Sequence, residues 1–295
     1  MKRMPFFVLL LLVLSLSGCI KTVEIDFPAP DIRPVVNCLF SPDTTFNLLL
    51  SRSASIFDSL PSPQLEKGAL VQLFENGVLV DTMYFDGDKF SSHIIPQQGR
   101  TYHLAINHPN FGNIFAENEI PKAPVFEVSM PHDSAYIDED GEFVSQVVVS
   151  IKDEPIVKNY YQLELKAQTI DPNTGDTIFF YTERDSSDPV FENEGLNRLY
   201  TYKYVFSDEL FDGQTYPLTL DYKANSFGNS YFSLVVILRA ISEDYYLYGR
   251  SLSIHQYGQD DDIWESGVPA SLRSNIEGGY GVFAGYNESV KIVNR

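Results

Sequence analysis

The residues most clearly arranged for chemistry are Leu16, Ser17, Gly18 and Cys19, near the start of the chain. A cysteine thiol is a nucleophile that can accept a diacylglyceryl group, and small residues before it suit the narrow cleft of a signal peptidase. The pattern predicts cleavage after Gly18 and lipidation of Cys19. The alternative is an ordinary signal peptide that is followed by a cysteine by chance.

The segment before Cys19 has the order of charges expected for export. Lys2 and Arg3 give a basic start, and the apolar run 6–16 is shorter than the roughly 20 residues needed to cross a membrane. We therefore predict a signal peptide over 1–18 and a lipidated tether over 19–34, which prolines hold extended. Several acyl chains on one cysteine, palmitate among them, would anchor the protein firmly to a membrane.

The composition limits the partners and the redox chemistry. The 295 residues carry a net charge of −19, and an acidic surface of this kind repels nucleic acid and anionic lipid headgroups. Nucleic-acid binding is therefore excluded. Lipid uses Cys19, so Cys38 has no partner for a disulfide, and its apolar neighbours predict a buried strand thiol.

Residues 35–122 have the pattern of an N-terminal β-sandwich. Apolar runs flank Asn76-Gly77, which predicts a tight hairpin turn. Alternation over Thr101–Ile106 places three apolar side chains on one face of a strand. The stretch 99–106 resembles the late strand of immunoglobulin-like and carboxypeptidase-regulatory-like modules. We expect a sandwich of that type here.

Residues 123–295 predict a second, larger β domain, so that the chain would be mainly β with two β-sandwich domains. The Pro121–Pro124 segment marks the boundary, because two prolines stiffen a crossover. Helical spacing after Ser242 predicts one helix near 242–257, whereas the polar stretch 185–197 predicts a loop. Four glycines over 278–285 predict close backbone approach in a strand.

No motif for catalysis, a cofactor or a metal is present. The histidines stand outside metal-binding motifs, and no Gly-x-Ser-x-Gly elbow, phosphate loop or Cys-x-x-Cys pair occurs. The acidic segments 138–142 and 171–176 carry oxygen ligands, so calcium is an alternative there, but hairpin turns favour the same residues. We therefore expect a protein that is not an enzyme and that needs no cofactor and no metal.

Three segments of the C-terminal half resemble a known family: 206–216, 241–248 and 274–283. Together with the lipidation motif they are similar to the Bacteroidota outer-membrane lipoproteins catalogued as domain of unknown function 4249. The resemblance implies a lipoprotein of the outer membrane that is often encoded beside a TonB-dependent receptor. It implies no activity and no catalytic residue.

The expected function is therefore that of a non-catalytic binding or accessory lipoprotein, anchored in the outer membrane, that works with a TonB-dependent transporter in nutrient uptake. Its ligand and the membrane face are not indicated. Trp264 and the 280–286 stretch are the contact surfaces that we expect. The alternative is a fimbrillin-like or adhesin subunit that polymerises by strand exchange after cleavage near Arg33. A third hypothesis is an envelope hydrolase built on paired acids.

Replacing the predicted acceptor should release the protein from the membrane. We expect Cys19→Ser to abolish incorporation of radiolabelled palmitate and to move the protein from the detergent phase to the aqueous phase of a Triton X-114 partition. Cys38→Ser is the matched control and should leave both readouts unchanged, because Cys38 is predicted to be buried. A Cys19→Ser protein that still carries label would refute the assignment.

Overall fold

The computed structural model describes residues 31–54, 63–139, 141–171, 173–181, 184–185, 188–194, 203–223, 233–257 and 271–294. The predicted signal peptide and the residues Leu16, Ser17, Gly18 and Cys19 lie outside these ranges, as does Trp264. From Ile32 onwards the chain forms one compact unit. Among the described residues, no helix has the length and hydropathy to cross a membrane.

Strands dominate the structure, which confirms the mainly β prediction. The strands are β1 Pro34–Phe40, β2 Asn47–Arg52, β3 Gln64–Leu65, β4 Leu70–Glu75, β5 Val78–Phe85, β6 Phe90–Ser91, β7 Thr101–His108, β8 Gly112–Glu119, β9 Val125–Ile137, β10 Phe143–Lys152, β11 Tyr160–Ile170, β12 Thr177–Tyr181, β13 Arg184–Asp185, β14 Lys203–Ser207, β15 Thr215–Lys223, β16 Ser233–Ile241 and β17 Tyr280–Asn294. The helices are α1 Pro189–Asn193 and α2 Glu243–Tyr257.

One sheet of 13 strands runs through both halves of the chain. Its main order is β12-β11-β16-β17-β1-β2-β6-β5-β4-β7-β8, with β14 beside β11 and β3 beside β2. A second sheet has the order β13-β15-β10-β9. The long strand β17 makes the connection, because residues 280–285 pair in parallel with β1 and residues 286–294 pair antiparallel with β16.

The N-terminal half packs its strands around one core, as the alternation predicts. Tyr102, Leu104 and Ile106 are buried, and the hairpin turn has left-handed φ angles of 49° at Asn76 and 83° at Gly77. Other residues of this core include Val36, Phe40, Phe46, Leu48, Leu50, Val71, Leu73 and Ile114. The Cys38 thiol is fully buried among them, and burial raises its pKa to about 12, so the thiol is not reactive.

The C-terminal half has its own core, between β10 and β15 on one side and β11, β14 and β16 on the other. Its buried residues include Val147, Val149, Ile151, Leu163, Leu165, Phe206, Leu218, Leu220, Leu234, Val236 and Leu238. Strand β16 lies between two strands and is buried on both faces. Strand β17 pairs with β1 of the N-terminal half and with β16 of the C-terminal half, and the two-domain division stays a prediction.

Helix α2 covers the outer face of the sheet where the two halves meet. It begins after Ser242, whose hydroxyl oxygen accepts the N–H of Tyr245 at 3.4 Å, in agreement with the helix start expected there. Tyr245 and Tyr246 of the helix belong to a cluster with Tyr160, Ile241 and three residues of β17, Val282, Ala284 and Tyr286. Burial of this tyrosine-rich face fixes the helix against the sheet.

The predicted loop over 185–197 is wrong for part of its length. Residues 189–193 form the short helix α1, which begins after Asp188 and has Pro189 in its first turn. The Asp188 side chain accepts the N–H of Val190 at 3.1 Å. The polar residues of the segment hid two buried positions, Val190 and Phe191, which pack into the C-terminal core.

The glycine-rich stretch allows β17 to lie between two other backbones, as the sequence predicted. A Cβ atom on Gly281 would lie 1.9 Å from the carbonyl oxygen of Val36, and one on Gly285 would lie 2.2 Å from that of Glu119. Phe283 between them is fully buried against Phe40. The expectation that 280–286 is an exposed contact surface is therefore wrong, although Tyr280 is exposed.

Side chains complete the hydrogen bonds of β17 on the edge that β16 does not reach. Asn275 brackets Phe283, since its Nδ2 donates to the Phe283 carbonyl at 2.8 Å and its Oδ1 accepts the Phe283 N–H at 3.0 Å. Asn118 accepts the Gly285 N–H at 2.9 Å, and the Ser242 N–H donates to the Gly285 carbonyl at 3.1 Å. These groups replace the missing strand, because a buried backbone donor or acceptor needs a partner.

Adding one methyl group to β17 should destabilise the protein. We expect Gly285→Ala to lower the free energy of unfolding by about 3 kcal/mol, because the new Cβ would clash with the Glu119 backbone rather than with a movable side chain. Urea denaturation measures the change. The control is Gly68→Ala, whose nearest neighbour would be a side-chain atom at 3.9 Å. Equal stabilities of the two variants would contradict the close approach.

Candidate functional site

Two loops cross side by side between the two sheets in the C-terminal half. Residues 153–159 connect β10 to β11, and residues 208–214 connect β14 to β15. Since β10 pairs with β15 and β11 pairs with β14, the strands bring both loops to the same end of the sandwich. We call these two segments the two-loop site.

Asp153 connects the loops from inside. It is 5% exposed, and its Oδ1 accepts the hydroxyl of Tyr161 at 2.6 Å and the side-chain amide of Asn159 at 3.2 Å. Its Oδ2 accepts the N–H of Gly213 at 2.8 Å, across the gap between the loops. Both oxygens of this buried carboxylate therefore have donors, as a buried charge requires.

Asp208 makes the reciprocal connection from the other loop. It is 2% exposed, its Oδ2 accepts the Asn159 N–H at 2.6 Å, and its own N–H donates to the Asn159 carbonyl at 3.1 Å. Burial raises the pKa of the Asp208 carboxyl above its usual value, and the charge of Asp153 adds to the rise. The exposed Asp212 completes the group, because its Oδ1 accepts the Ile156 N–H at 3.0 Å.

The three carboxylates offer the oxygen chemistry that hard cations such as Ca²⁺ prefer. One ligand atom from each of Asp153, Asp208 and Asp212 lies within 4.8 Å of the others. However, N–H and O–H donors of the protein already occupy both oxygens of Asp153 and one oxygen of Asp208. The donors account for the cluster without an ion, and its chemistry is that of a clamp between two loops.

The same geometry disfavours a hydrolase pair. Glycosidases place two carboxyl groups on either side of a sugar, with room for the substrate or for water between them. Asp153 and Asp208 are almost fully buried and face N–H and O–H donors of the protein.

The two-loop site presents unusual aliphatic side chains to solvent. Ile156 is 94% exposed, Val157 is 57% exposed and Leu210 is 47% exposed. Ile156 also has a φ of 75°, in the left-handed region that a β-branched residue rarely adopts. A residue in such a conformation costs about 1 to 3 kcal/mol, so it persists only where its surroundings hold it.

The site is strongly acidic as well as apolar. Residues 153–159 and 208–214 contain five acids, Asp153, Glu154, Asp208, Glu209 and Asp212, against one lysine, Lys158. That lysine lies over the ring of Tyr160 at 5.4 Å. The density of negative charge here exceeds that of the chain as a whole, which has 40 acids and 21 bases.

The three segments that carry the family resemblance meet at this end of the C-terminal half. Segment 206–216 contains the 208–214 loop itself. In segment 241–248, Glu243 accepts the hydroxyl of Tyr160 at 2.8 Å, and Asp244 accepts the side-chain amide of Asn275 at 3.1 Å. Asn275 belongs to segment 274–283, so the second and third segments are joined at the junction between the halves.

The acidic turns considered for calcium are not part of the site. Asp138 and Glu142 both pair with Lys223, at 2.7 and 3.1 Å, so a lysine already balances their charge. Asp171 accepts the Asn173 N–H at 2.8 Å, as turn residues do. The sequence analysis did not identify Asp153 and Asp208. The pattern that could have indicated them is an acid directly after each of two apolar strands, β10 and β14.

The described histidines have structural surroundings. His108 is buried, with its Nε2 3.3 Å from Glu66 and its ring beside Phe111. His103 lies on β7 with its Nδ1 2.7 Å from Glu117.

A family model described as "Domain of unknown function (DUF4249)" matches residues 20–292. The chain belongs to this family. No curated protein matches the chain. The solved structures that it resembles include the MSCRAMM ACE of Enterococcus faecalis, which binds its ligands by the collagen Hug model, at 6% identity and a TM-score of 0.19 over 90% of this chain and 95% of the other. The collagen-binding domain of the surface protein RspB of Erysipelothrix rhusiopathiae matches at 9% identity and a TM-score of 0.19, over 89% and 97%. These two likenesses are too weak to inform function.

Neutralising Asp208 should stabilise the protein at neutral pH. The raised pKa means that the folded state binds a proton more tightly than the unfolded state, so the ionised form costs stability above that pKa. We expect Asp208→Asn to unfold at higher urea concentration at pH 7. The advantage should shrink as the pH falls and vanish below about 3, where the unfolded carboxyl is protonated as well.

The exposed Asp88 in the 86–89 turn provides the control. Asp88→Asn should leave the unfolding free energy unchanged at both pH values, because the Asp88 side chain is exposed. A loss of stability at pH 7 in Asp208→Asn would show that the charge of Asp208 supports the fold.

Proposed function

We propose that this protein is a non-catalytic binding or accessory lipoprotein, anchored in the outer membrane of Bacteroidota through Cys19, that works with a TonB-dependent β-barrel transporter in nutrient uptake. The observation that carries the binding role is the two-loop site, where Ile156, Val157 and Leu210 are exposed on loops that a buried carboxylate clamp holds in place. Exposed apolar residues on a rigid base are typical of binding surfaces.

The reach of the chain supports a partner in or near the membrane. The predicted tether over 19–34 can extend about 50 Å at most. Strand β17 begins beside β1, at the end of the tether. Tyr160, which follows the 153–159 loop, pairs with Ile241, and Ile241 pairs with Tyr286 of β17, so the two-loop site lies level with Tyr286 along that strand. That level is about 20 Å along the strand from Tyr280. This reach is compatible with contact to the loops of a membrane-embedded barrel.

The acidic charge supports a protein partner rather than a lipid or nucleic-acid surface. A net charge of −19 raises the rate of encounter with a basic surface and opposes contact with phosphate groups. A basic loop on a barrel would therefore meet the site more readily than a bare membrane would.

Affinity purification tests the proposal directly. The full-length, lipidated protein with a C-terminal tag should recover a β-barrel outer-membrane protein in near-equal amounts from mildly solubilised envelopes. A Cys19→Ser variant is the control for membrane attachment and should recover much less, because it leaves the membrane surface. Recovery of no barrel with the lipidated protein would refute the partnership.

A further inference from the structure

We propose that the two-loop site docks on a protein partner that offers an apolar pocket rimmed by lysine or arginine, and that Ile156 is the residue that fills the pocket. This inference rests on the proposed binding function and adds the surface that docks and the chemistry of its partner.

Folding does not explain why residue 156 is an isoleucine. At 94% exposure it buries almost no apolar area, so it gains nothing from the hydrophobic effect. Its φ of 75° makes a β-branched residue costly there, whereas asparagine or glycine tolerates that conformation. An isoleucine at this position is therefore explained by what its side chain contacts in a complex.

The loop that carries Ile156 is held on both sides. The Ile156 N–H donates to Asp212 at 3.0 Å, and the side-chain amide of Asn159 donates to the Val157 carbonyl at 2.7 Å. Pro155 packs so closely on Gly213 that a Cβ there would lie 2.7 Å from the Pro155 Cβ. A loop fixed before binding loses little conformational entropy in the complex, which favours affinity.

The charges around Ile156 indicate which kind of partner can bind at the two-loop site. Glu154 already pairs with Lys122 at 2.9 Å, while Glu209 and Asp212 remain exposed. A second copy of the chain would bring the same acids face to face, and an anionic bilayer would be repelled. An apolar pocket with a basic rim would bury Ile156 and pair with the surrounding acids, so the partner is a different protein with a basic surface.

Photo-crosslinking in native envelopes identifies the molecule that contacts residue 156. Full-length protein with benzoylphenylalanine in place of Ile156 should crosslink to one other protein, in a segment where apolar residues lie beside lysine or arginine. The same probe in place of Ile95, an isoleucine that is 54% exposed in the N-terminal half, is the control and should give about tenfold less product. Crosslinks to lipid, to a second copy, or at the control level would overturn the proposal.

Matched substitutions separate docking from folding. With the probe moved to Leu210, Ile156→Asn should lower the yield of the crosslinked complex about tenfold, whereas Ile156→Val should keep it near the wild-type yield. Ile156→Asn should also raise Tm by about 2 °C, because asparagine tolerates a left-handed φ. Loss of yield together with a lower Tm would mean that Ile156 supports the loop, and an unchanged yield would remove its role as anchor.

The two proposals fail in different ways. If tagged Ile156→Asn recovers the barrel as well as the unsubstituted protein does, the docking inference is wrong and the partnership stands. If the crosslinked partner is a basic protein that is not a barrel, the docking inference stands and the proposed function is wrong.

Discussion

The structure depends on the placement of one strand, β17, between backbones that approach too closely for a side chain. Gly281 faces the carbonyl of Val36 and Gly285 faces that of Glu119, at distances that exclude a Cβ. The parallel pairing of β17 with β1 joins the last strand of the chain to the first. The residues that pair here lie almost the whole chain length apart in sequence. Loop-closure entropy therefore opposes the contact, and burial of apolar side chains in the two cores must offset that cost.

The edge of β17 shows how the chain avoids the cost of unpaired backbone N–H and C=O groups. Between 280 and 285 the strand has β1 on one side, and none of the described strands pairs with its other edge. Phe283 and Gly285 keep their hydrogen bonds there through Asn275, Asn118 and the N–H of Ser242. An amide side chain offers the same donor and acceptor as a peptide group, so it can replace one residue of a strand. Two asparagines and the start of α2 therefore complete the sheet where the two halves meet.

The sequence predicted what short-range physics decides. The Asn76-Gly77 turn, the cap at Ser242 and the alternation of β7 all depend on residues within one turn or one strand, and the structure confirms them. The glycines of 278–285 predicted close approach but not the neighbours, which are β1 at Gly281 and the end of β8 at Gly285, each more than 160 residues away in sequence. For the same reason Asp153 and Asp208 could not be paired from the sequence, because strand order alone brings their loops together.

The two-loop site departs from the local rules that the rest of the fold follows. Among the described residues, Asp153 and Asp208 are buried acids that face N–H and O–H donors rather than a lysine or arginine. Ile156 has a left-handed φ and an exposed side chain. Burial of an acid and a left-handed φ at a β-branched residue each cost stability, whereas the C-terminal core that carries the loops is apolar. Proteins keep such exceptions where function requires them and the scaffold supplies the stability. The buried acids fix the loops from inside, which leaves the outer surface free to carry an apolar tip that folding alone would not select.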